Sequence, residues 1–190
     1  MFFKHVKNVL TPQECAILVD RGRSAGFEQA KVNHYGEQQT MLSVRNNDRF
    51  EFVDAELAIR LEQSVRGALG EDFPSEFAQR AFAGAGDHFR MYRYVPGQFF
   101  KPHKDGSFDA GSSESEITAL FYLNDADGGE TVLMPYGPGQ AWAHILVQPR
   151  RGDLLLFEHN CWHEGRPVAS GEKLVLRTDF FYAKNSSDEK

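Results

Sequence analysis

Residues 88–105 read His-Phe-Arg-Met-Tyr-Arg-Tyr-Val-Pro-Gly-Gln-Phe-Phe-Lys-Pro-His-Lys-Asp, and this stretch decides the fold class. Its first eight residues, 88–95, are mostly aromatic or apolar, which favours a β-strand. Pro96 and Gly97 form a typical turn pair, so the strand should end there. No helical spacing of apolar residues runs through the stretch, which therefore marks the start of a β-rich region.

Five further segments downstream are likewise rich in aromatic and apolar residues, and turn-forming residues separate them. These segments are 116–123, 129–134, 144–148, 153–158 and 173–182. Many short strands at this spacing are typical of a β-sandwich or barrel. No helical pattern alternates with them, which disfavours a parallel α/β sheet. We therefore expect a barrel or jelly roll in the second half of the chain.

Two helices are predicted before the β-rich region. For the first, over 11–25, Thr11 and Glu14 have the spacing of a capping box, and Pro12 suits the first helical position. For the second, over 55–69, Asp54 is a suitable cap and Gly70 a suitable stop. The fold class is therefore mainly β with N-terminal helices, an α+β arrangement in which a jelly roll packs against helices.

The composition excludes several classes of protein. The chain has 190 residues, a formal net charge of -6 and 41% hydrophobic residues. No apolar run approaches the ~20 residues of a membrane helix, and the first residues lack the apolar core of a signal peptide. The acidic balance argues against a nucleic-acid partner. Cys15 and Cys161 are too few for a disulfide framework, so we expect a reducing compartment and a cytoplasmic protein.

The triplet His103-Lys104-Asp105 is the first candidate for chemistry. Residues two apart on an extended segment point to one side, so His103 and Asp105 can occupy neighbouring positions on a metal ion. A third ligand would complete the two-histidine, one-carboxylate triad of non-haem Fe(II) oxygenases. The candidates for that ligand are His144, His159 and His163. His163 is favoured, and His159 is its main rival. His144 lies in an apolar run, which suits a core position better than a metal site.

Charged residues recur on one face of the last predicted strand. Lys173, Arg177 and Asp179 alternate there with Leu174 and Leu176. Either this face is exposed to solvent, or its cations lie inside the barrel, where a buried charge requires a partner. The second interpretation predicts an anionic ligand inside the barrel.

The motifs between Phe89 and Tyr182 resemble those of the Fe(II)- and 2-oxoglutarate-dependent oxygenases, in the prolyl 4-hydroxylase-like branch. The matching elements are, in order, Tyr94-Val95-Pro96-Gly97-Gln98, Pro102-His103-Lys104-Asp105, Thr118, Tyr122-Leu123-Asn124, Gly128-Gly129-Glu130-Thr131, Gly152-Asp153, Leu156-Phe157, His163, Pro167-Val168, Gly171 and Lys173. No single element is specific, but their order and spacing together are.

The resemblance implies a single domain, 1–190, built on a double-stranded β-helix with iron at one mouth. Residues 1–86 would form a helical support region and 87–184 the β-helix core. The implied metal ligands are His103, Asp105 and His163. Lys173 would pair with the far carboxylate of 2-oxoglutarate, with Arg177 as the second candidate. The other implied cosubstrate residues are Tyr94, Tyr122 and Thr118.

The implied activity is hydroxylation of an unactivated C–H bond in a prolyl or other amino-acid residue of a protein or peptide. The implied cofactors are Fe(II), the cosubstrate 2-oxoglutarate and O₂, and ascorbate is a further candidate. One alternative is a hydroxylase of a free amino acid or small metabolite. The others are a cupin-type dioxygenase that needs no 2-oxoglutarate and a non-catalytic jelly-roll binding module.

Two segments have open roles at this stage. Residues 106–116 have the composition of a mobile loop, so they form either a lid over the substrate, with Phe108 as a contact, or an idle surface loop. The run Val44-Arg45-Asn46-Asn47-Asp48-Arg49 either places Arg45, Asn47 or Arg49 at the substrate mouth or forms a polar surface turn.

Overall fold

The computed structural model describes residues 1–34 and 37–184, and two α-helices occur in this part of the chain. Helix α1 spans Pro12–Ala25 and begins with the predicted capping box between Thr11 and Glu14. Helix α2 spans Ala55–Leu69, and its cap Asp54 accepts a hydrogen bond from the backbone N–H of Leu57. Both predicted helices are confirmed. Within the described residues, no helix is both long enough and apolar enough to cross a membrane.

Strands make up most of the rest. They are β1 (Phe3–Val6), β2 (Glu28–Gln29), β3 (Val32–His34), β4 (Glu37–Gln39), β5 (Asp48–Val53), β6 (Glu76–Phe77), β7 (Arg80–Ala85), β8 (His88–Tyr94), β9 (Phe100–His103), β10 (Ser113–Tyr122), β11 (Asp127–Gly128), β12 (Thr131–Met134), β13 (Ile145–Val147), β14 (Leu154–Glu158), β15 (Trp162–Gly165), β16 (Val168–Ser170) and β17 (Lys173–Ala183). Short 3₁₀ turns span Gly70–Asp72 and Ala141–Ala143.

Two antiparallel sheets form the body of the protein. The large sheet has the order β1-β14-β10-β17-β8-β5-β2, with β7 paired to β17 and β6 paired to β7. The small sheet has the order β13-β12-β15-β9. A cluster of buried side chains from both sheets, among them Leu120, Phe157, Leu133 and Val147, fills the space between them. The two sheets therefore pack face to face, which confirms the predicted jelly roll.

Strand β17 shows how the sheet separates apolar from charged side chains. Leu174, Leu176 and Phe180 belong to the main core, in which the large sheet packs against both helices. Lys173 and Arg177 lie on the opposite face and line a cavity between the sheets. The charged face of this strand is therefore inside the barrel and not at the solvent surface.

The N-terminal part of the chain contributes strands as well as helices. Besides α1 and α2, residues 1–86 supply β1, β5 and β7 to the large sheet. In β5, Phe50 and Phe52 alternate with charged residues, which is a strand pattern that the sequence analysis left unassigned. The expectation of a helical support region over 1–86 is therefore corrected to a mixed one, because pairing with β8 holds this segment extended.

We expect Gly152→Ala to destabilise the fold by on the order of 2–3 kcal/mol. Gly152 has φ +87°, and a Cβ there would lie 2.3 Å from the carbonyl oxygen of Leu10. The Gly152 backbone also joins β10 to the segment before helix α1, because its N–H donates to the carbonyl of Tyr122 and its carbonyl accepts from the N–H of Leu10. Urea unfolding followed by circular dichroism measures the loss.

The control is Gly67→Ala in helix α2, where the added Cβ meets no atom within 4 Å. This change should raise the unfolding free energy by ~0.5–1 kcal/mol, since alanine is the better helix former. Equal effects of the two substitutions would contradict the assigned role of Gly152.

Candidate active site

Strand pairing brings two of the candidate histidines together. His103 at the end of β9 lies directly opposite His163 in β15, and their ring centroids are 4.1 Å apart. The Nδ1 atom of His103 lies 2.8 Å from the carbonyl of Lys101, and that of His163 lies 3.1 Å from the carbonyl of Cys161. A carbonyl accepts only, so each Nδ1 carries the proton and each Nε2 presents a lone pair.

Asp105 completes a three-residue group with these imidazoles. Its Oδ1 lies 3.9 Å from Nε2 of His103, and its Oδ2 lies 3.6 Å from Nε2 of His163. One donor atom from each residue falls within 4.8 Å of the others. In the described part of the chain, this is the one group of three or more such side chains with that geometry.

The protonation states of the group suit a divalent metal ion. Burial lowers the pKa of His103 to about 3 and also lowers the pKa of His163. Burial acts to raise the pKa of Asp105, but Arg177 and the two imidazoles more than offset it and hold that pKa well below its usual range. Two neutral imidazoles and one carboxylate are the donors that a metal ion requires.

The donor set fits Fe(II). Two imidazole nitrogens and one carboxylate on one side of an ion leave its remaining positions open to other ligands. The Nδ1–H···O=C bonds fix the tautomer and orientation of both rings before any ion binds. His103, Asp105 and His163 are therefore the residues that would hold the metal.

Arg177 is committed to carboxylates of the protein. Its Nη1 donates to Oδ1 of Asp105 at 2.7 Å, and its Nη2 donates to Oδ1 of Asp179 at 2.9 Å. Arg90 donates to the other oxygen of Asp179 at 3.2 Å. The expectation that Arg177 binds 2-oxoglutarate is therefore not supported by its contacts, because the two aspartates already occupy its guanidinium.

Lys173, in contrast to Arg177, pairs with no carboxylate in the described part of the chain. It is 2% exposed, and its Nζ donates to the carbonyl of Gly129 at 2.6 Å, with no carboxylate within ion-pair distance in the described chain. Burial lowers the pKa of Lys173 to about 7, against a weaker raising effect of Glu130. A buried ammonium without an acidic partner is suited to bind the carboxylate of a ligand.

The cavity between the sheets joins Lys173 to the metal group. It is lined by Tyr92, Tyr94, Phe100, His103, Asp105, Leu120, Thr131, His163, Glu164, Gly165, Lys173, Val175 and Arg177. Apart from its histidines and charged residues, this lining is mostly apolar or aromatic. The arrangement therefore places an unpaired cation and the metal-ligand group in one cavity.

The three other cosubstrate candidates take different positions. Tyr94 lines the cavity, with its ring 5.0 Å from Nζ of Lys173. Tyr122 is fully buried behind the cavity and donates its hydroxyl to Thr131 at 2.8 Å. Thr118 donates to Oδ2 of Asp105 at 2.6 Å, so it contacts the metal-ligand carboxylate and does not line the cosubstrate pocket.

Several cavity residues were missed by the sequence analysis. Tyr92 and Val175 share the faces of Tyr94 and Lys173, so strand alternation could have identified them. Thr131 stands in the quoted glycine-rich motif. Phe100 carried no local signal, because its place depends on the pairing of β9 with β15.

The two rival histidines lie outside the metal group. His159 is buried beside Asp179, with its Nε2 3.4 Å from Oδ1, and its carbonyl accepts the backbone N–H of Asp105. His144 follows the 3₁₀ turn Ala141–Ala143 and precedes β13. The structure thus places His163, and neither rival, with His103 and Asp105.

The segment 106–116 folds back on itself as a hydrogen-bonded hairpin. Residues from Ser113 onward belong to β10, and the N–H of Phe108 donates to Oγ of Ser115 at 2.8 Å. Asp109 accepts from Nζ of Lys184 at 2.6 Å. Phe108 is 58% exposed at the surface, and the mobility of this segment and its role as a lid stay predictions.

The run 44–49 also differs from a polar surface turn. Arg45 and Asn47 are buried, and Nε of Arg45 donates to Oδ1 of Asn47 at 3.0 Å. Arg49 forms an ion pair with Glu51 at 2.7 Å. Of the three candidates for the substrate mouth, Arg45 lies beside residues that line the cavity.

Comparison with known proteins extends this picture. The model of the 2OG-Fe(II) oxygenase superfamily matches residues 89–182. Prolyl 4-hydroxylase 1 of Arabidopsis thaliana is 27% identical over 186 residues, which cover 86% of this chain and 63% of that protein. Probable prolyl 4-hydroxylase 11 of the same plant is 37% identical over 73 residues, or 38% of this chain and 25% of that protein. The chain thus spans less than two thirds of the length of these curated relatives.

Solved structures support the fold. The viral collagen prolyl hydroxylase of Paramecium Bursaria Chlorella virus-1 superposes with a TM-score of 0.66 at 20% identity, covering 97% of both chains. A prolyl hydroxylase from Trichoplax adhaerens, in complex with a hypoxia inducible factor peptide, gives 0.70 at 17% identity and covers 94% of this chain and 83% of that one. Together with the family match and the clustered ligand residues, these likenesses place the chain in the 2OG-Fe(II) oxygenase superfamily, as a prolyl 4-hydroxylase-like member.

Proposed function

We propose that this protein is an Fe(II)- and 2-oxoglutarate-dependent dioxygenase that hydroxylates an unactivated C–H bond. The observation that carries the proposal is one cavity that holds the group His103, Asp105 and His163 together with the unpaired ammonium of Lys173. When bound, Fe(II) and 2-oxoglutarate supply the oxidation: substrate C–H, O₂ and 2-oxoglutarate become C–OH, succinate and CO₂.

The chain's own residues bind the cosubstrate, orient a metal ligand and exclude water. Lys173 binds the far carboxylate of 2-oxoglutarate and thereby fixes the direction in which the cosubstrate lies. Arg177 and Thr118 hold Asp105 through one hydrogen bond on each carboxylate oxygen. Apolar walls, including Leu120 and Val175, keep water out of the cavity.

For the substrate, we propose a prolyl or other amino-acid residue of a protein or peptide. The named activity of the curated relatives and the peptide complex of the Trichoplax adhaerens enzyme support this choice. A free amino acid or small metabolite is the second candidate. It is favoured by the likeness to an epimerase of nogalamycin biosynthesis, at a TM-score of 0.59 and 18% identity. The intact ligand set argues against a non-catalytic binding module.

Two further parts of the proposal concern the working conditions. Ascorbate is proposed as the reductant that keeps the iron ferrous between turnovers. A cytoplasmic location is supported by Cys15 and Cys161, which are both buried and unpaired.

Anaerobic titration of the Fe(II)-loaded protein with 2-oxoglutarate should produce a weak visible charge-transfer band, since the metal and Lys173 share one cavity. Air should then convert 2-oxoglutarate to succinate. His163→Ala should give neither result, because two ligands hold the ion poorly. Absorbance and succinate quantification by mass spectrometry provide the readouts.

His144→Ala is the matched control, because that histidine lies outside the metal group, and it should retain both signals. A wild-type protein that binds Fe(II) but shows neither band nor succinate would contradict the proposed function. Succinate formed without any band would assign the activity but not this geometry.

Lys173→Met should weaken 2-oxoglutarate binding by about 10–100-fold, because a charge-assisted contact is lost. Arg177→Lys should change it by less than about tenfold, since Arg177 is occupied by Asp105 and Asp179. Calorimetric titration of the anaerobic Fe(II) proteins measures both dissociation constants. The reverse order of effects would assign the cosubstrate carboxylate to Arg177.

The affinity for 2-oxoglutarate should also fall with rising pH. The pKa of Lys173 in the free protein is about 7, so above pH 7 the ammonium must regain a proton before it pairs with a carboxylate. The dissociation constant should therefore be flat below pH 7 and rise about tenfold per pH unit above it. Lys173→Arg should flatten the profile, because arginine stays charged. A pH-independent wild-type constant between pH 7 and 9 would refute this role.

A further inference from the structure

Arg45 is a buried cation that the proposed reaction does not use. Its residue is 4% exposed, and it lies at the outer edge of the small sheet, where it forms a β-bridge with Phe100. The guanidinium carbon lies 4.0 Å from the ring centroid of Phe100 and 5.0 Å from that of Tyr92. Both rings line the cavity that holds the metal group. Arg45 therefore lies directly behind the part of the cavity wall that Phe100 and Tyr92 form, and it is not itself a lining residue.

The position of Arg45 relative to the metal group follows from ring stacking. Phe100 stacks on His103 with 3.5 Å between ring centroids and 19° between ring planes. Two groups that lie so close to one ring must cover opposite faces, so Phe100 is sandwiched between His103 and Arg45. Burial raises the pKa of Tyr94, and Arg45 is the largest opposing charge on that hydroxyl. The cation thus acts on the same cavity as the metal ligands.

Among the described residues, Arg45 has no acidic partner, in contrast to the arginines Arg80 and Arg177. Arg177 pairs with Asp105 and Asp179, and Arg80 pairs with Glu114 and Glu116. In the described structure, the ion pairs do not include Arg45, and its Nη2 is buried without any hydrogen-bond partner. A buried guanidinium left in this state destabilises the free protein.

We propose that Arg45 binds a carboxylate of the substrate, next to the residue that is hydroxylated. The inference rests on the proposed function and adds the substrate class, namely an amino acid or peptide whose target residue carries a free carboxylate. Fe(II), Asp105, 2-oxoglutarate and Lys173 together carry no net charge, Arg177 is balanced by Asp179, and Glu164, the remaining acid of the cavity lining, pairs with Arg166. The charge of Arg45 is therefore left for the substrate to neutralise.

A main-chain carbonyl of an internal substrate residue would accept a hydrogen bond from Nη2 of Arg45, but it would not neutralise the charge of the guanidinium. A carboxylate satisfies both and matches the planar fork of a guanidinium. The stacking on Phe100 and the bond to Asn47 hold that fork in place before a ligand arrives. Pre-ordering of this kind favours recognition of one planar anion over flexible contacts.

The test compares two ligands that differ only in that charge. N-acetyl-L-proline and N-acetyl-L-proline amide are titrated calorimetrically into anaerobic protein saturated with Fe(II) and 2-oxoglutarate, so that the cosubstrate site is occupied. We expect the carboxylate to bind at least tenfold tighter than the amide. Free L-proline and the peptide Ala-Ala-Pro form the second arm, and the tighter of the two identifies a free amino acid or a peptide end as the source of the carboxylate.

Arg45→Met should abolish this preference without weakening amide binding, and Arg45→Lys should keep part of it. The melting temperature of Arg45→Met should equal or exceed that of the wild type, because an unpaired buried charge is removed. Arg49→Met is the matched control, since Arg49 is a neighbouring arginine with an acidic partner, and it should keep the full preference.

Equal affinities of the two proline ligands in the wild type would overturn the inference, as would a preference that survives in Arg45→Met. A lower melting temperature together with lost Fe(II) binding in Arg45→Met would also overturn it, by showing that Arg45 only supports Phe100 and His103. The titrations involve no turnover. A protein that discriminates the ligands through Arg45 but forms no succinate would therefore refute the proposed function and leave this inference standing.

Discussion

The ion pair between Arg177 and Asp105 joins the central strand of the large sheet to the segment that carries two of the metal ligands. Asp105 is buried, so its carboxylate needs a compensating charge even before a metal ion binds. Arg177 provides that charge and is itself held by Asp179, which Arg90 holds in turn. The same contacts that keep the carboxylate ionised therefore also hold the Asp105 segment against β17.

Strand β17 carries two cations on one face, and the two have different partners. Lys173 and Arg177 are four residues apart, about 13 Å along an extended strand, so they serve opposite ends of the cavity. The cation at the metal end is neutralised by the protein, whereas the cation at the far end is not. Burial of Lys173 without an acid destabilises the free protein, and bound 2-oxoglutarate would remove that cost. Stability is thus lower where the ligand is to bind, which is common at functional sites.

Local patterns predicted the helices, the main strands and the residues of the metal group. Capping residues, alternation and the motif order are properties of neighbouring residues, so one sequence suffices to show them. The ion pair of Arg177 with Asp105 could not be predicted, because Asp105 is distant in sequence and meets Arg177 only in the folded chain. The hairpin at 106–116 could not be predicted for the same reason, since its Asp109 is held by Lys184, which is distant in sequence.

The position of Arg45 suggests how the two parts of the chain share the work. The superfamily match covers residues 89–182, which contain the metal ligands and Lys173. Arg45 lies outside that range and is held behind the cavity wall because its segment pairs with Phe100 of β9. In this arrangement, the selection of substrate falls to the N-terminal segment that packs against the core, and a buried, unneutralised cation there restricts the substrate to one that brings a negative charge.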